Sequence, residues 1–379
     1  MLRSAIAAHD PLYSMNSVKL NHSVPVELGE QSYQIHVDFG LKNHLADHLA
    51  PWNQGQQWVV LTQQAIFDIY QPVVNQLKSA GFRIETIIVP GDESAKHIQH
   101  AESVWSQMVA MGCDRSSILL ALGGGVVGDL GGFVAATYMR GIPFIQVPTT
   151  LLAMVDSAIG GKTAVNLTAG KNLVGAIYQP KAVLIDPDFL ATLPRRNVIS
   201  SLAEAVKYGF IRDSSIFDTF ETRFDDLVSL NDEALLSEII AKSCRIKAQI
   251  VSNDQFENGE RRLLNYGHTI GHAFETLQAY QGLYHGEAVL YGMKCAGFIS
   301  HKQGLLSDLE YQRAKAVLDR FELPALAEVT ADQVLGVVAH DKKMINGKLN
   351  FILLDRIGNG LVSTDVSEDD IRQSLSAVQ

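Results

Sequence analysis

The sequence has few cysteines, no long apolar run and no excess of positive charge. Only three of its 379 residues are cysteine, and Cys113, Cys244 and Cys295 form no CxxC pair, so neither a disulfide framework nor a thiolate zinc knuckle is indicated. No apolar run approaches the roughly 18 residues needed to cross a bilayer. A formal net charge of −10 argues against nucleic acid, because phosphate binding relies on clustered lysine and arginine. These absences predict a cytoplasmic protein that binds neither membrane nor nucleic acid.

The composition is that of a globular chain long enough for two domains. Hydrophobic residues make up 47% and charged residues 19%, which excludes a disordered protein. Residues 1–18 lack the apolar segment of a secretion signal, and we expect them to form a flexible tail. Because the chain is acidic, any anionic substrate must be drawn by a local pocket of positive side chains.

Short β-rich runs alternate with longer helical runs in the first half of the chain, which is the βαβ pattern of a mostly parallel, doubly wound sheet. The predicted strands are Trp58–Leu61, Ile84–Val89, Ser117–Leu122, Phe144–Val147 and Ala182–Ile185. The predicted helices are Phe67–Ala80, Lys96–Met111 and Asp129–Tyr138. After residue 194 helical periodicity dominates, with one predicted hairpin within residues 349–362. We therefore predict a Rossmann-like α/β domain over residues 19–197, followed by a mainly α-helical domain over residues 198–379.

A glycine-rich turn, Gly123–Asp129, follows a predicted strand and opens a predicted helix. It contains the GxGxxG spacing, in which amides at a helix N-terminus can cradle a pyrophosphate. The position about twenty residues later, Thr149-Thr150, offers no acid for a ribose, but Glu93 and Lys96 after the preceding strand can fill that role. A plain strand-to-helix turn is the alternative. The context favours a dinucleotide site.

A second segment concentrates positive charge beside glycines. Residues 156–162, DSAIGGK, are followed by Lys171 and Asn172, a pattern that suits a small, highly anionic ligand which the backbone approaches closely. A solvated loop with surface lysines is the alternative. On a predicted helix over residues 233–253, Lys247 falls within the apolar stripe, so it either reaches the helix rim or enters a pocket that holds an anion.

The second half of the chain carries candidate metal ligands. Glu204 and Lys207 share a helix face at i,i+3, His268 and His272 share one at i,i+4, and His285 follows in a His-Gly-Glu segment. Two histidines on one face and a carboxylate can hold Zn²⁺ and leave a position open for substrate. Solvated surface histidines are the alternative. The HExxH hydrolase pattern is absent.

The order and spacing of these segments carry a family resemblance. GGGVVGD, VPTTLLAMVDSAIGGKTAVN, GKN, AEAVKYG, LLNYGHTIGHAFE and HGEAV appear in that order, with Asp341-Lys342-Lys343 near the end. From about Val26 to the C-terminus the chain resembles the 3-dehydroquinate synthase family of sugar phosphate cyclases. The resemblance implies an enzyme that uses NAD and a divalent metal, Zn²⁺ or Co²⁺.

The resemblance also implies roles for individual residues. It makes Glu204, His268 and His285 the metal ligands, which replaces the His268–His272 pairing and turns His272 toward the substrate. Implied dinucleotide contacts are Glu93, Lys96, Gly124, Gly125, Val126, Val127, Gly128, Asp129, Thr149, Thr150, Lys162, Lys171, Phe189, Leu190, Ala191 and Thr192. Implied catalytic residues are Asp156, Lys162, Lys207, Lys247, Arg261, Asn265 and His272. Implied substrate contacts are Arg140, Asn172 and Lys343, with Lys342 as the alternative to Lys343.

The implied reaction converts 3-deoxy-D-arabino-heptulosonate 7-phosphate to 3-dehydroquinate and phosphate, a step of the shikimate pathway. It proceeds by transient oxidation with NAD, phosphate elimination, re-reduction, ring opening and intramolecular aldol closure. The resemblance also implies a homodimer. Three alternatives stay open: another sugar-phosphate cyclase, a glycerol-dehydrogenase-like polyol dehydrogenase, and a binding homologue without activity. Retention of Arg261 and Asn265 favours a substrate with a carboxylate.

Overall fold

The computed structural model describes residues 22–278, 282–326, 329–339, 344–345 and 348–378. The predicted N-terminal tail, together with Lys342 and Lys343, lies outside these ranges. None of the described helices is both long and apolar enough to cross a bilayer.

The first half of the chain is built on a seven-stranded sheet in the order β1-β2-β9-β6-β5-β3-β4. Its strands are β1 (His22–Val26), β2 (Tyr33–Val37), β3 (Gln57–Gln63), β4 (Arg83–Val89), β5 (Ile118–Gly123), β6 (Phe144–Pro148) and β9 (Ala182–Ile185). Between β6 and β9 in the chain, β7 (Lys162–Leu167) and β8 (Gly170–Ile177) pair outside this sheet. All neighbours in the sheet are parallel except β1 and β2. The central strands β5 and β6 are buried at every position, as expected for strands covered on both faces.

Helices connect these parallel strands and fix where a ligand can bind. They are α1 (Leu45–Leu49), α2 (Gln64–Ser79), α3 (Ile98–Ala110) and α4 (Gly125–Thr137). Because β4 lies on one side of β3 and β5 on the other, the strand order reverses at β3 and β5. A crevice therefore opens at the carboxyl ends of these two strands, where doubly wound sheets bind ligands. The α/β prediction and its five strands and three helices are confirmed, with ends shifted by a few residues.

Two antiparallel pairs in the first half of the chain were not predicted from the sequence. One is β1 with β2 at the edge of the sheet, and the other is the hairpin of β7 and β8, which contains Lys162, Lys171 and Asn172. The alternative of a plain solvated loop is therefore wrong for residues 162–177, which form a hairpin. Most of β8 is partly or fully exposed, so its residues lack the alternation of buried and exposed positions that reveals a strand.

The second half is mainly helical. It contains α5 (Arg195–Ile211), α6 (Ser214–Ser229), α7 (Glu233–Asn253), α8 (His268–Leu277), α9 (His285–Lys302), α10 (Asp308–Asp319), α11 (Ala331–Ala339), the short strands β10 (Met344–Ile345) and β11 (Lys348–Leu349), the hairpin β12 (Phe351–Arg356) and β13 (Asn359–Ser363), and α12 (Glu368–Val378). The predicted hairpin is confirmed within its range. One apolar core extends from Val24 in β1 to Leu375 in α12, so the sheet and the helices are packed together.

Candidate active site

The turn between β5 and α4 presents backbone amides at the carboxyl edge of the sheet. Gly124 is the N-cap of α4. A Cβ on Gly124 would lie 2.9 Å from Thr150 Cγ2, and one on Gly125 would lie 2.9 Å from Ser157 Oγ, so the packing leaves no room for side chains at either position. Thr149 Oγ1 and Ser157 Oγ are buried without a hydrogen-bond partner among the described residues. The turn therefore combines free helix amides with unused hydroxyls, as a site for a polar, anionic ligand requires.

A buried lysine links this turn to the hairpin. Lys96 Nζ donates hydrogen bonds to Asp129 Oδ2 at 2.7 Å and to Asn172 Oδ1 at 2.5 Å, and lies 3.5 Å from Glu93 Oε1. Although burial opposes it, the charges of Asp129 and Glu93 raise the pKa of Lys96. Asn166 Nδ2 donates to Glu93 Oε1 at 2.8 Å. Four residues implied for the dinucleotide or substrate, Glu93, Lys96, Asp129 and Asn172, are thus in one network.

The turn after β9 also reaches this edge of the sheet, because β9 pairs with β6. It forms a single 3₁₀ helix, Pro187–Thr192. The side chains of Phe189 and Leu190 are buried in the core, and those of Ala191 and Thr192 are exposed. Phe189 and Leu190 can therefore offer a ligand their backbone, whereas their side chains hold the turn in place.

Glu204, His268 and His285 converge from three helices. Glu204 Oε1 lies 3.5 Å from His268 Nε2 and 3.6 Å from His285 Nε2, and the three candidate ligand atoms are all within 4.8 Å of one another. Glu204 is fully buried, and its Oε1 has no hydrogen-bond partner among the described residues. A buried, unpartnered carboxylate oxygen facing two imidazole nitrogens fits a divalent metal with three protein ligands and an open position.

Neighbouring groups orient the two imidazoles. His268 Nδ1 is 3.1 Å from the carbonyl oxygen of Tyr266, and His285 Nδ1 is 3.4 Å from Glu275 Oε2. Each contact places a proton on Nδ1 and leaves Nε2 directed at Glu204, as is usual for histidine ligands of metals. Burial lowers the pKa of His285, but the neighbouring carboxylates of Glu204 and Glu275 outweigh it and raise that pKa to about 10.

His272 lies beside this group rather than at its centre. Its side chain is 44% exposed, and its ring centroid is 5.2 Å from that of His268 and 5.9 Å from that of His285. His272 Nε2 is 4.0 Å from Glu275 Oε2, and these two residues with His285 form a second, overlapping group of possible ligands. Glu275 was missed, although its spacing of three and seven residues from His272 and His268 on one helix face was visible in the sequence.

Lys207 and Lys247 bring two buried ammonium groups to the site. Lys207 is 1% exposed and forms a close ion pair with Glu204 Oε2. Lys247 Nζ donates to Asp156 Oδ1 at 2.6 Å and to the Asp156 carbonyl at 2.7 Å. Although burial opposes it, the charges of Lys247 and Lys207 hold the pKa of Asp156 well below its usual range. The apolar-stripe lysine of α7 therefore enters a pocket instead of reaching the helix rim.

Asp156 is supplied by a π-helical turn, Ala153–Ser157, of the kind that often occurs at functional sites. Tyr208 Oη lies 3.0 Å from the Val155 carbonyl and 3.2 Å from Asp156 Oδ1, and so holds this turn against α5. This role of Tyr208 could not be predicted from local spacing, because its partner lies 52 residues earlier in the chain.

A cavity of about 460 Å³ lies between the glycine turn and α7. Its lining brings together residues that are far apart in sequence, including Asp129, Asp156, Lys162, Asn172, Lys247 and Arg261. Arg261 is buried and donates from Nη2 to the Gly160 carbonyl at 3.0 Å. Gly160 has φ of +92°, and a Cβ there would lie 2.6 Å from Arg261 Nη2, so this contact requires glycine. The cavity thus gathers three cations around a small volume, as an anionic ligand requires.

A glutamate that was not among the predicted site residues contacts one of the residues that line the cavity. Glu257 pairs closely with Lys162, and its Oε1 accepts a hydrogen bond from Asn265 Nδ2 at 2.6 Å. Both partners are implied substrate residues. The contact crosses from the hairpin to the segment between α7 and α8, so no local spacing could have predicted it.

Arg140 is not among the residues that line this cavity. It is exposed and follows the C-terminal end of α4, whereas the glycine turn lies at the N-terminal end of that helix. A helix of 13 residues is about 20 Å long. Met139 and Arg140 also have φ of 51° and 67°, an unusual pair of left-handed residues at an exposed helix end.

Comparisons with known proteins agree with this arrangement. The 3-dehydroquinate synthase of Rippkaea orientalis is 45% identical over 357 residues, which covers 93% of this chain and 97% of that protein. The structure of 2-epi-5-epi-valiolone synthase from Streptomyces hygroscopicus with NAD⁺ and Zn²⁺ bound has a TM-score of 0.85 and 30% identity, covering 93% of this chain and 98% of that one.

More distant structures share the same architecture. A 2-deoxy-scyllo-inosose synthase complexed with carbaglucose-6-phosphate, NAD⁺ and Co²⁺ has a TM-score of 0.81 and 26% identity, covering 93% of this chain and all of that one. A probable glycerol dehydrogenase from Sinorhizobium meliloti, at 17% identity and a TM-score of 0.62, shares the fold alone.

The matches to families extend over most of the chain. Residues 86–200 match the family described as 3-dehydroquinate synthase N-terminal, and residues 201–344 match the one described as 3-dehydroquinate synthase C-terminal. Together with 45% identity to a 3-dehydroquinate synthase over nearly the whole chain, these matches leave one assignment. The chain belongs to the 3-dehydroquinate synthase family.

Proposed function

We propose that this protein is a 3-dehydroquinate synthase, a phosphorus–oxygen lyase that forms a carbocycle from 3-deoxy-D-arabino-heptulosonate 7-phosphate. Two observations support the proposal in this member of the family: Glu204, His268 and His285 form one group of possible metal ligands, and Asp156, Lys247 and Arg261 line a cationic cavity. The charge of Lys207, which pairs with Glu204, also acts on Asp156 and so connects the two. The substrate carries a carboxylate and a phosphate, and the cavity gathers the cations that an acidic chain must concentrate to bind it.

The cofactors of the proposed enzyme are NAD and a divalent metal, Zn²⁺ or Co²⁺. The glycine turn, Thr149 and the Lys96 network would hold the dinucleotide, and Glu204, His268 and His285 would hold the metal. Bound NAD would supply a reversible hydride acceptor for a substrate hydroxyl, and a bound metal would supply a Lewis acid for that hydroxyl. The unused hydroxyl of Thr149 and the unpartnered Glu204 Oε1 fit these two groups.

The charged and polar residues of the cavity would bind different parts of the substrate. Lys247 and Arg261 lie with Asp156 in the cavity wall, where an ammonium, a guanidinium and a carboxylate can orient the sugar hydroxyls and the carboxylate. Lys162, Asn172, Asn265 and His272 would bind the phosphate. Of these, His272 is exposed enough to exchange a proton with the leaving group, which makes it the candidate acid or base.

We propose that the chain divides near residue 197 into a nucleotide-binding domain and a metal-binding domain, with the cavity formed by both. We also propose a homodimer, because the resemblance implies Arg140 at the substrate whereas Arg140 is not among the residues that line the cavity of its own chain, so a second copy could supply this side chain. The protein would act in the cytoplasm, since its three cysteines are free and buried.

A phosphate-release assay on the full chain with NAD and metal tests the function. The heptulosonate phosphate should release phosphate with no net NADH at steady state. Sedoheptulose 7-phosphate and glucose 6-phosphate, which lack the carboxylate, should be poor substrates. Preference for either would assign the chain to another sugar-phosphate cyclase, and NADH accumulation with a simple polyol would assign it to a dehydrogenase.

A further inference from the structure

Glu257 occupies a position that the proposed phosphate ligands should keep free for substrate. Its Oε2 is paired with Lys162 Nζ, and its Oε1 accepts from Asn265 Nδ2 at 2.6 Å. An ammonium and an amide that converge on two oxygens of one group form an anion subsite. Here a carboxylate of the chain itself satisfies both donors.

The carboxylate is charged and only partly solvated. Burial raises the pKa of Glu257, but the charge of Lys162 and the hydrogen bonds from Lys162 and Asn265 outweigh it and lower that pKa. The Glu257 side chain is 26% exposed and that of Lys162 is 56% exposed, so the pair lies at the rim of the cavity. Incoming ligand therefore reaches this pair before it reaches the interior.

The backbone holds Glu257 in this place at a cost. Glu257 has φ of +60°, a left-handed conformation that costs about 1 kcal/mol or more outside glycine. Asp254 stabilises the turn, since its carboxylate accepts from the amides of Asn258 at 2.9 Å, Gly259 at 2.7 Å and Arg261 at 3.0 Å. A rigid, strained turn that presents one carboxylate to two ligand-binding donors indicates a functional role.

We propose that Glu257 acts as a built-in competitor that fills the phosphate subsite until the substrate's phosphate displaces it. The inference rests on the proposed function, which makes Lys162 and Asn265 phosphate ligands. A phosphate monoester with a charge near −2 outcompetes a single carboxylate for one ammonium, whereas singly charged anions do not. Glu257 thereby makes the subsite selective for dianions. It also lowers the affinity for the phosphate product, because the Glu257 carboxylate can pair with Lys162 and Asn265 again as phosphate leaves.

The test is inorganic phosphate binding to the full chain loaded with NAD and metal, measured calorimetrically without turnover. Glu257→Gln keeps the shape of the side chain and removes its charge. We expect phosphate to bind about fivefold more tightly, the factor that corresponds to a partly exposed ion pair. Unchanged or weaker phosphate binding in this variant would overturn the proposal, since a residue that merely positions Lys162 would act in that direction.

Matched variants separate competition from general damage. Glu260→Gln removes a carboxylate from the same segment that pairs with Arg212, and it should leave phosphate affinity unchanged. In a Lys162→Met background, Glu257→Gln should no longer tighten phosphate binding, and a persisting effect would contradict direct competition. Because no step requires turnover, failure here is distinguishable from failure of the heptulosonate assay.

Discussion

A single methyl group at Gly286 should disrupt the metal group without touching a ligand. Gly286 follows His285 at the start of α9, and its amide donates to Ser200 Oγ in α5 at 3.1 Å. A Cβ on Gly286 would lie 1.7 Å from the Ser200 carbonyl oxygen. A real carbon–oxygen contact needs about 3.2 Å, so Gly286→Ala must move α9 and α5 apart by about 1.5 Å.

That displacement acts directly on the ligand distances. Ser200 lies one helical turn before Glu204, so the shift separates His285 from the carboxylate it faces at 3.6 Å. Metal–ligand distances tolerate about 0.2 Å. We therefore expect metal affinity to fall at least about 100-fold and the free energy of unfolding to fall by about 1–3 kcal/mol.

Chelator competition for Zn²⁺ measures the affinity, and urea unfolding measures the stability. Gly297→Ala in the same helix is the control, because its Cβ would meet only Tyr266 Oη at 3.7 Å, an ordinary contact. It should leave metal affinity intact and stabilise the helix by up to about 1 kcal/mol. Equal metal affinity in the two variants would refute the reasoning that the α5–α9 contact sets the ligand geometry.

Three further outcomes are expected. His268→Ala should lose bound metal and turnover together, because two protein ligands remain of three; normal metal content after dialysis would contradict the ligand assignment. Arg196→Met should lower the free energy of unfolding by about 3 kcal/mol, since it removes the ion-pair partner of the buried Glu287 carboxylate. The control Arg195→Met, at an exposed ion pair, should lower it by under about 0.5 kcal/mol in the same assay. Similar losses in the two variants would contradict a stabilising role of the Arg196–Glu287 pair. The pKa of Asp370 is lowered to about 2, so the ionised carboxylate contributes to the free energy of unfolding above about pH 4, and this contribution is lost as the pH falls through 2. Between these pH values the free energy of unfolding should therefore fall by about 1–2 kcal/mol less in Asp370→Asn than in the wild type. Parallel pH profiles in unfolding titrations would refute this.

Local patterns in the sequence were sufficient for the elements and for pairs on one helix. Short β-rich runs bounded by turn residues identified β3 to β6 and β9, and helical periodicity identified most of the connecting helices. The same logic found Lys247 in an apolar stripe and the i,i+4 pair His268 and His272. Spacing alone could not show that the ligand group of His268 contains His285 instead of His272, because the helical rule relates only residues of one helix.

What the sequence by itself determined is therefore the kind of fold, the glycine turn and the set of side chains able to bind a metal and an anion. Tertiary structure decided which of them meet. The approach of α9 to α5 at Gly286 brings His285 to Glu204, and the hairpin brings Lys162 to Glu257, 95 residues away. Such contacts depend on packing between segments that are far apart in the chain, and no periodic pattern in the sequence reveals them. For the same reason Arg140, implied at the substrate by resemblance, proved to lie at the far end of its helix.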